Sequence, residues 1–165
     1  MASELFTHGI SKLVSGGQTG VDRAALDVAL DLGIDHGGWC PQGRIAEDGR
    51  LDARYLLTEM DSPDYAARTE QNVIDSDATL ILYRRRMQGG TLLTYRIANR
   101  RKKPVLRVRI DGDVSIPQIA SWLHQHSIAI LNVAGPRGSS HPRIYHDAYR
   151  ILSELFRTEC ILCDG

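Results

Sequence analysis

Three short segments join glycine to hydroxyl, amide or guanidinium side chains: Ser15 to Gly20 (SGGQTG), Met87 to Thr91 (MQGGT) and Ala134 to Ser140 (AGPRGSS). Each stands between an apolar run and a helical pattern. Glycine accepts positive φ and lets a ligand approach the main chain, while the N–H groups of a helix start and its dipole favour a negative group. Three such loops on one sheet edge would form a floor of backbone donors for a flat organic ligand bearing phosphate.

Each loop also has a packing reading. The first lacks the Gly-x-Gly-x-x-Gly spacing of a dinucleotide site and the Lys-Ser/Thr of a P-loop. Its Gly16, Gly17, Gln18, Thr19 and Gly20 either line an anion site or close a tight strand-to-helix turn. Thr19 and Asp22 have capping-box spacing, and Asp22 would repel an anion at that helix start unless Arg23 offsets it. Arg84, Arg85 and Arg86 precede the second loop, where Gly89, Gly90 and Thr91 open a helix. Successive side chains of an extended segment point opposite ways, so at least one arginine can face a cleft. In the third loop, Gly135, Pro136, Arg137 and Ser139 combine a rigid turn, a guanidinium fork and a hydroxyl. Arg137 is the foremost candidate for a phosphate contact. Ser139 or Ser140 could instead cap the next helix.

Other chemistries lack residues. No Gly-x-Ser-x-Gly surrounds a serine, and the six histidines show no metal-binding spacing; His124 and His126 do not share a helix face. Of three cysteines, Cys160 and Cys163 have the spacing of half a zinc site, with no second pair in matching register, so reduced thiols without a structural role are expected. No catalytic residue and no metal ligand is assigned.

The elements that must position the loops follow from periodicity. Residues 12–15 read as a strand. Val21, Ala24, Ala25, Val28, Ala29 and Leu32 recur at helical spacing, and Gly33 is the stop. Residues 37–43 suggest a brief strand and loop, Asp48-Gly49 a turn, and 54–60 a third strand. A helix after Ser62-Pro63 carries Arg68 and Asn72 on one face, at i and i+4. Residues 78–83 form a buried strand, 91–101 a helix and 104–110 an alternating strand near a sheet edge. Ser115 and Gln118, with Pro117 in the first turn, open a helix to about His126. Residues 128–133 are a last buried strand, and Ile144, Ala148, Ile151, Leu152 and Leu155 mark the closing helix. Strands alternating with helices imply a doubly wound, mostly parallel α/β sheet with helices on both faces, in one domain spanning 1–165. Ligands of such sheets sit at the carboxyl ends of the strands, where the winding reverses.

Twenty basic and twenty acidic side chains in 165 residues leave a formal net charge of zero. No global field draws in nucleic acid, so any anion site is local. Neither a signal segment nor a membrane-spanning run is present in the sequence, and a soluble cytoplasmic protein is expected.

The segments VSGGQTGVDRAALDVA, RTEQNVIDSDATLIL, QGGT and LNVAGPRGS resemble the signature segments of the molybdenum carrier (molybdenum cofactor carrier-like) family, within the Rossmann-like superfamily that includes Lonely Guy and DprA-like proteins. The resemblance runs from Lys12 to about Leu155. It implies a small, homo-oligomeric Rossmann-like protein that binds molybdenum cofactor, a pterin with a terminal phosphate, and shields it until transfer to an acceptor molybdoenzyme. Carried over by motif, the ligand contacts would be Gly16 to Gly20, Arg68, Asn72, Gly89 to Thr91 and Gly135 to Arg137, with the pterin against Trp39 to Gln42. Two alternatives use the same loops: a phosphoribohydrolase-like enzyme acting on nucleoside monophosphates, and a sensor of a nucleotide-derived signal. The phosphoribohydrolases carry a glutamate after Pro-Gly-Gly-x-Gly-Thr. Here Gln88 replaces the proline, and Leu92 to Tyr95 stand where the acid would be, leaving Asp22 and Asp77 as substitutes.

Overall fold

The computed structural model describes residues 4–159. In chain order the elements are β1 (Lys12–Val14), α1 (Val21–Leu32), β2 (Asp35–Gly37), β3 (Trp39–Cys40), β4 (Ile45–Ala46), β5 (Gly49–Arg50), β6 (Thr58–Glu59), α2 (Tyr65–Ile74), β7 (Ala78–Tyr83), α3 (Gly89–Arg100), β8 (Val105–Arg109), α4 (Ile116–Gln125), β9 (Ile130–Ala134) and α5 (Ile144–Leu155).

The central sheet has the order β2-β1-β9-β7-β8, and every pairing within it is parallel. Parallel neighbours require crossovers, and helices supply them on both faces. The apolar stripes of α1, α4 and α5 share one core cluster with Leu13, Leu80, Leu131 and Val133. Val73 of α2 and Ile97 and Ala98 of α3 form a second cluster. The doubly wound Rossmann-like architecture read from the pattern is therefore the fold.

Local signals act where the sequence places them. Gly33 takes φ 71° and its N–H closes α1 onto the Ala29 carbonyl, a conformation that costs glycine nothing. Ser115 accepts from the Gln118 N–H at 3.3 Å and starts α4. Leu80, Ile81 and Leu82 have no exposed surface because β7 is flanked by β8 and β9 and covered on both faces. Burying each such side chain contributes about 1.5–3 kcal/mol. β8, at the edge, stays partly exposed along its length.

Several expectations are corrected. Residues 54–60 do not add a strand to the central sheet; only Thr58 and Glu59 are extended, pairing with β3 in a separate ribbon. This excursion instead packs Leu51, Tyr55 and Leu57 around Leu26 and Cys40. The Thr19–Asp22 capping box does not form: Gly20 is the N-cap of α1, and no side chain caps it. Neither Ser139 nor Ser140 caps α5, whose N-cap is Arg143. α3 starts at Gly89, so the glycine pair lies within its first turn. Cys160 and Cys163 lie outside the described residues.

Candidate functional site

β9 enters the sheet last, between β1 and β7, and so brings the three glycine loops side by side. A cleft of about 520 Å³ opens at the carboxyl ends of these strands, between α2 and the start of α3. Of the candidate residues, Gly16, Gln18, Arg68, Asn72, Gly89, Gly90, Thr91, Gly135, Pro136 and Arg137 line it. Gly17, Thr19, Gly20, Arg23 and Ser139 do not. Neither does the loop from Trp39 to Gln42, whose Trp39 indole donates to Asp75 at 2.7 Å.

The first and third loops spend several of their backbone donors on the protein itself. Gly17 donates to Ser15 Oγ (3.3 Å), Gln18 to Asp22 Oδ2 (3.3 Å), Thr19 to its neighbour Gln18 Oε1 (3.0 Å) and Val21 to the Pro136 carbonyl (3.2 Å). In the third loop, Gly138 donates to Thr19 Oγ1 and Ser139 to Glu47 Oε1, each at 3.0 Å. Gly20, at φ 83°, is needed for contact between the loops: a Cβ there would stand 2.3 Å from the Pro136 carbonyl oxygen. Here glycine serves the approach of one backbone to another, and the amides of Gly17, Gln18, Thr19, Gly138 and Ser139 already have partners within the protein.

The second loop differs. Gln88, the N-cap of α3, makes no side-chain capping bond, and the first turn holds no acid. The amides of Gly89, Gly90 and Thr91 precede the first intrahelical bond, as at any helix start. Gly89 needs its φ of 55°, and a Cβ at either glycine would meet nothing within 4 Å. An uncapped helix start opening into a cleft attracts an anion. Arg86 and Arg137 line the same cleft. Of the arginine run, Arg84 lies 4.0 Å from Asp147, whereas Arg86 faces the cleft.

Asp22 and Arg68 form the inner wall. Arg68 Nη1 donates to Asp22 Oδ2 at 3.0 Å, with side chains 11% and 8% exposed. Arg68 Nε has no hydrogen-bond partner among the described residues. Burial pushes the Asp22 carboxyl above the usual aspartate range, and the Arg68 charge opposes that shift. The Arg23 charge also opposes the shift, more weakly than Arg68, while its own hydrogen bonds go to Asp48 at 2.9 Å and to the Gly17 carbonyl. Asn72 borders the cleft, yet its amide clamps the Trp39 backbone, accepting from N–H at 2.7 Å and donating to the carbonyl at 3.0 Å. Asp77 is remote, binding the Ala129 and Ile130 amides at the amino end of β9.

Glu47 escaped the sequence reading. From the β4–β5 hairpin its carboxylate accepts from Thr19 Oγ1, from Ser139 N (3.0 Å) and from Ser139 Oγ (2.7 Å), and it lies 3.9 Å from Arg137 Nε. It fastens the first loop to the third. Nothing in the local sequence marks it, because its partners lie 28 and 92 positions away. Tyr65, Thr69, Thr94, Asn132, Ser140 and His141 also line the cleft.

The model of the Circularly permutated YpsA SLOG family matches residues 13–156. The chain belongs to this family. Among solved structures, this YpsA-like SLOG protein is similar to one named "Putative molybdenum carrier protein" from Syntrophus aciditrophicus SB, with 47% identity and a TM-score of 0.85 over 90% of this chain and 95% of that one. The resemblance read from the signature segments is thus borne out in both sequence family and fold. No curated protein matches the chain. Among the described residues, no helix of this SLOG protein is long and apolar enough to cross a membrane.

Proposed function

We propose that the protein is a carrier that holds molybdenum cofactor as cargo and delivers it to an acceptor molybdoenzyme. The observation that carries this reading is the uncapped α3 start, where Gly89, Gly90 and Thr91 face a cleft that also presents Arg86 and Arg137. The terminal phosphate of the cofactor would sit at these amides, with the two guanidiniums supplying charge and forked donors. Tyr65, half-exposed at the cleft wall, offers a ring face to the flat pterin. The Asp22–Arg68 pair keeps the inner wall rigid. A volume of about 520 Å³ falls within the range of sites for ligands of this size. The relative from Syntrophus aciditrophicus, named as a molybdenum carrier, supports the choice of cargo.

Asp22 favours a second reading. A buried carboxyl raised above its usual range, in a cleft with an anion site, is the group that hydrolysis of a nucleoside monophosphate would need. One experiment separates the two. Purified protein is incubated with molybdenum cofactor and, separately, with a panel of nucleoside monophosphates. Retained cofactor with no released base is the expected result; free base appearing at enzyme-like rates overturns the carrier reading.

A further inference from the structure

Outside the cleft, one carboxylate joins the ends of two neighbouring strands. β7 and β8 pair from Thr79 with Val105 to Tyr83 with Arg109, and the Ile110 N–H closes the ladder on the Tyr83 carbonyl at 2.8 Å. Asp111 comes next in the chain and reaches back over the sheet end. Its Oδ1 accepts from the Arg85 N–H at 3.1 Å and from Arg109 Nε at 2.9 Å, while Oδ2 accepts from Arg109 Nη2 at 3.0 Å. The Arg109 fork holds the Asp111 carboxyl well below the usual aspartate range, so the acceptor facing Arg85 is charged.

Arg85 needs such a hold. Its φ of 58° lies in the left-handed region, which glycine enters freely and a residue with a Cβ enters only at a cost. The side chains on either side of it diverge: Arg84 lies 4.0 Å from Asp147 on α5, and Arg86 lines the cleft. In an extended segment, residues two apart point to the same face, so Arg84 and Arg86 would lie side by side. The turn at Arg85 separates them. Neither Arg85 nor Asp111 lines the cleft itself.

We propose that Asp111 is a positioning residue for anion binding: by accepting from the Arg85 amide it holds the left-handed turn that sends Arg86 into the cleft. The inference rests on the reading of the cleft as the seat of the cargo's phosphate, and it adds a residue that acts on the ligand only through Arg86. Its sign distinguishes it from a field effect. Loss of a nearby acid strengthens the attraction of a cationic rim for an anion, whereas loss of this latch weakens the hold by turning Arg86 away.

The test uses the full chain and two readouts. NMR follows the Arg85 backbone without ligand, through amide exchange and φ-dependent chemical shifts, and equilibrium dialysis follows retention of molybdenum cofactor. In Asp111→Ala the Arg85 amide should exchange roughly tenfold faster or more and leave the left-handed region, while the Ile110 amide, still on Tyr83, stays protected. Retention should fall roughly tenfold, the scale of a lost charge-assisted hydrogen bond, and match that of Arg86→Ala. The double variant should lose no more than Arg86→Ala alone. Adding Arg85→Gly to Asp111→Ala should restore retention, because glycine adopts the turn without the latch. Asp113→Ala, which removes a neighbouring exposed acid, should not weaken retention. An Arg85 backbone that ignores Asp111→Ala overturns the proposal, as does unchanged or tighter retention in that variant, or losses that add in the double variant. Failure of the parent protein to retain cofactor overturns the carrier reading instead, and the Arg85 backbone then decides the latch.

Discussion

The Arg68 guanidinium occupies the space a Gly16 side chain would need: a Cβ on Gly16 would stand 1.4 Å from Nη1, the nitrogen that donates to Asp22 Oδ2 at 3.0 Å. Gly16→Ala must therefore push Arg68 off its partner. Separating a buried pair costs about 3–5 kcal/mol. Urea unfolding at pH 7 should show that loss for Gly16→Ala and for Arg68→Ala, while the double variant loses little more than either, because both remove the same interaction.

The α3 start can be tested by a change that separates binding from stability. Gly90→Asp has room for its side chain and places an acid in a first turn that holds none. An acid there favours the helix dipole, so unfolding stability should be unchanged or rise by about 0.3–1 kcal/mol. The same charge opposes a bound phosphate. Retention of the cofactor, followed by equilibrium dialysis, should fall roughly 5- to 30-fold, the equivalent of about 1–2 kcal/mol.

Two arginines that the sequence treats alike should part company. Arg137 lines the cleft, whereas Arg23 is engaged with Asp48 and the Gly17 carbonyl outside it. Arg137→Ala should reduce cofactor retention roughly tenfold or more, the scale of a charge-assisted hydrogen bond. Arg23→Ala should leave retention unchanged in the same assay and lower stability by about 1–2 kcal/mol, because this mostly buried side chain gives up the Gly17 carbonyl as well as Asp48.

Glu47 gives the junction of the first and third loops a dependence on pH. Partial burial raises its pKa, but donation from Thr19 and Ser139, helped by Arg137, outweighs this and holds it below the ordinary glutamate value of 4.5. The folded state therefore favours the carboxylate. The resulting stability is present above pH 4.5 and disappears as pH falls through the lower folded value. Urea titrations should find Glu47→Gln less stable than the parent at pH 7 and the gap narrowing toward pH 3. Exchange of the Ser139 amide, measured by NMR, should quicken over the same descent.

Much of the architecture was legible because its signals are local. The stripe from Val21 to Leu32 and the apolar run of 78–83 follow from periods of 3.6 and 2, and Gly33 and Ser115 act within one helical turn. Residues 54–60 misled because an apolar run does not say which sheet it joins. Here Leu57 is consumed by a satellite core around Leu26 and Cys40. The site was legible in outline only. Arg68 and Asn72 share a helix face as their spacing requires, and both border the cleft. Glycine by itself could not separate Gly20, pressed against the Pro136 carbonyl, from Gly90, open to solvent.

The sequence by itself determined the order of elements, the parallel doubly wound layering and the placing of glycine at three strand ends, since each depends on residues within a few positions of one another. Only the tertiary structure decided which loop's donors are largely engaged within the protein and which helix start is left without a side-chain cap. That choice rests on Glu47, Asp22, Ser15 and Pro136 reaching amides of the first and third loops, while no side chain reaches the start of α3. The meeting of His8 and His124, 116 positions apart, was likewise beyond any spacing rule. Pairings of this kind are set by how β9 inserts between β1 and β7 and how α4 and α5 return to the amino edge, and that geometry exists only once the chain has folded.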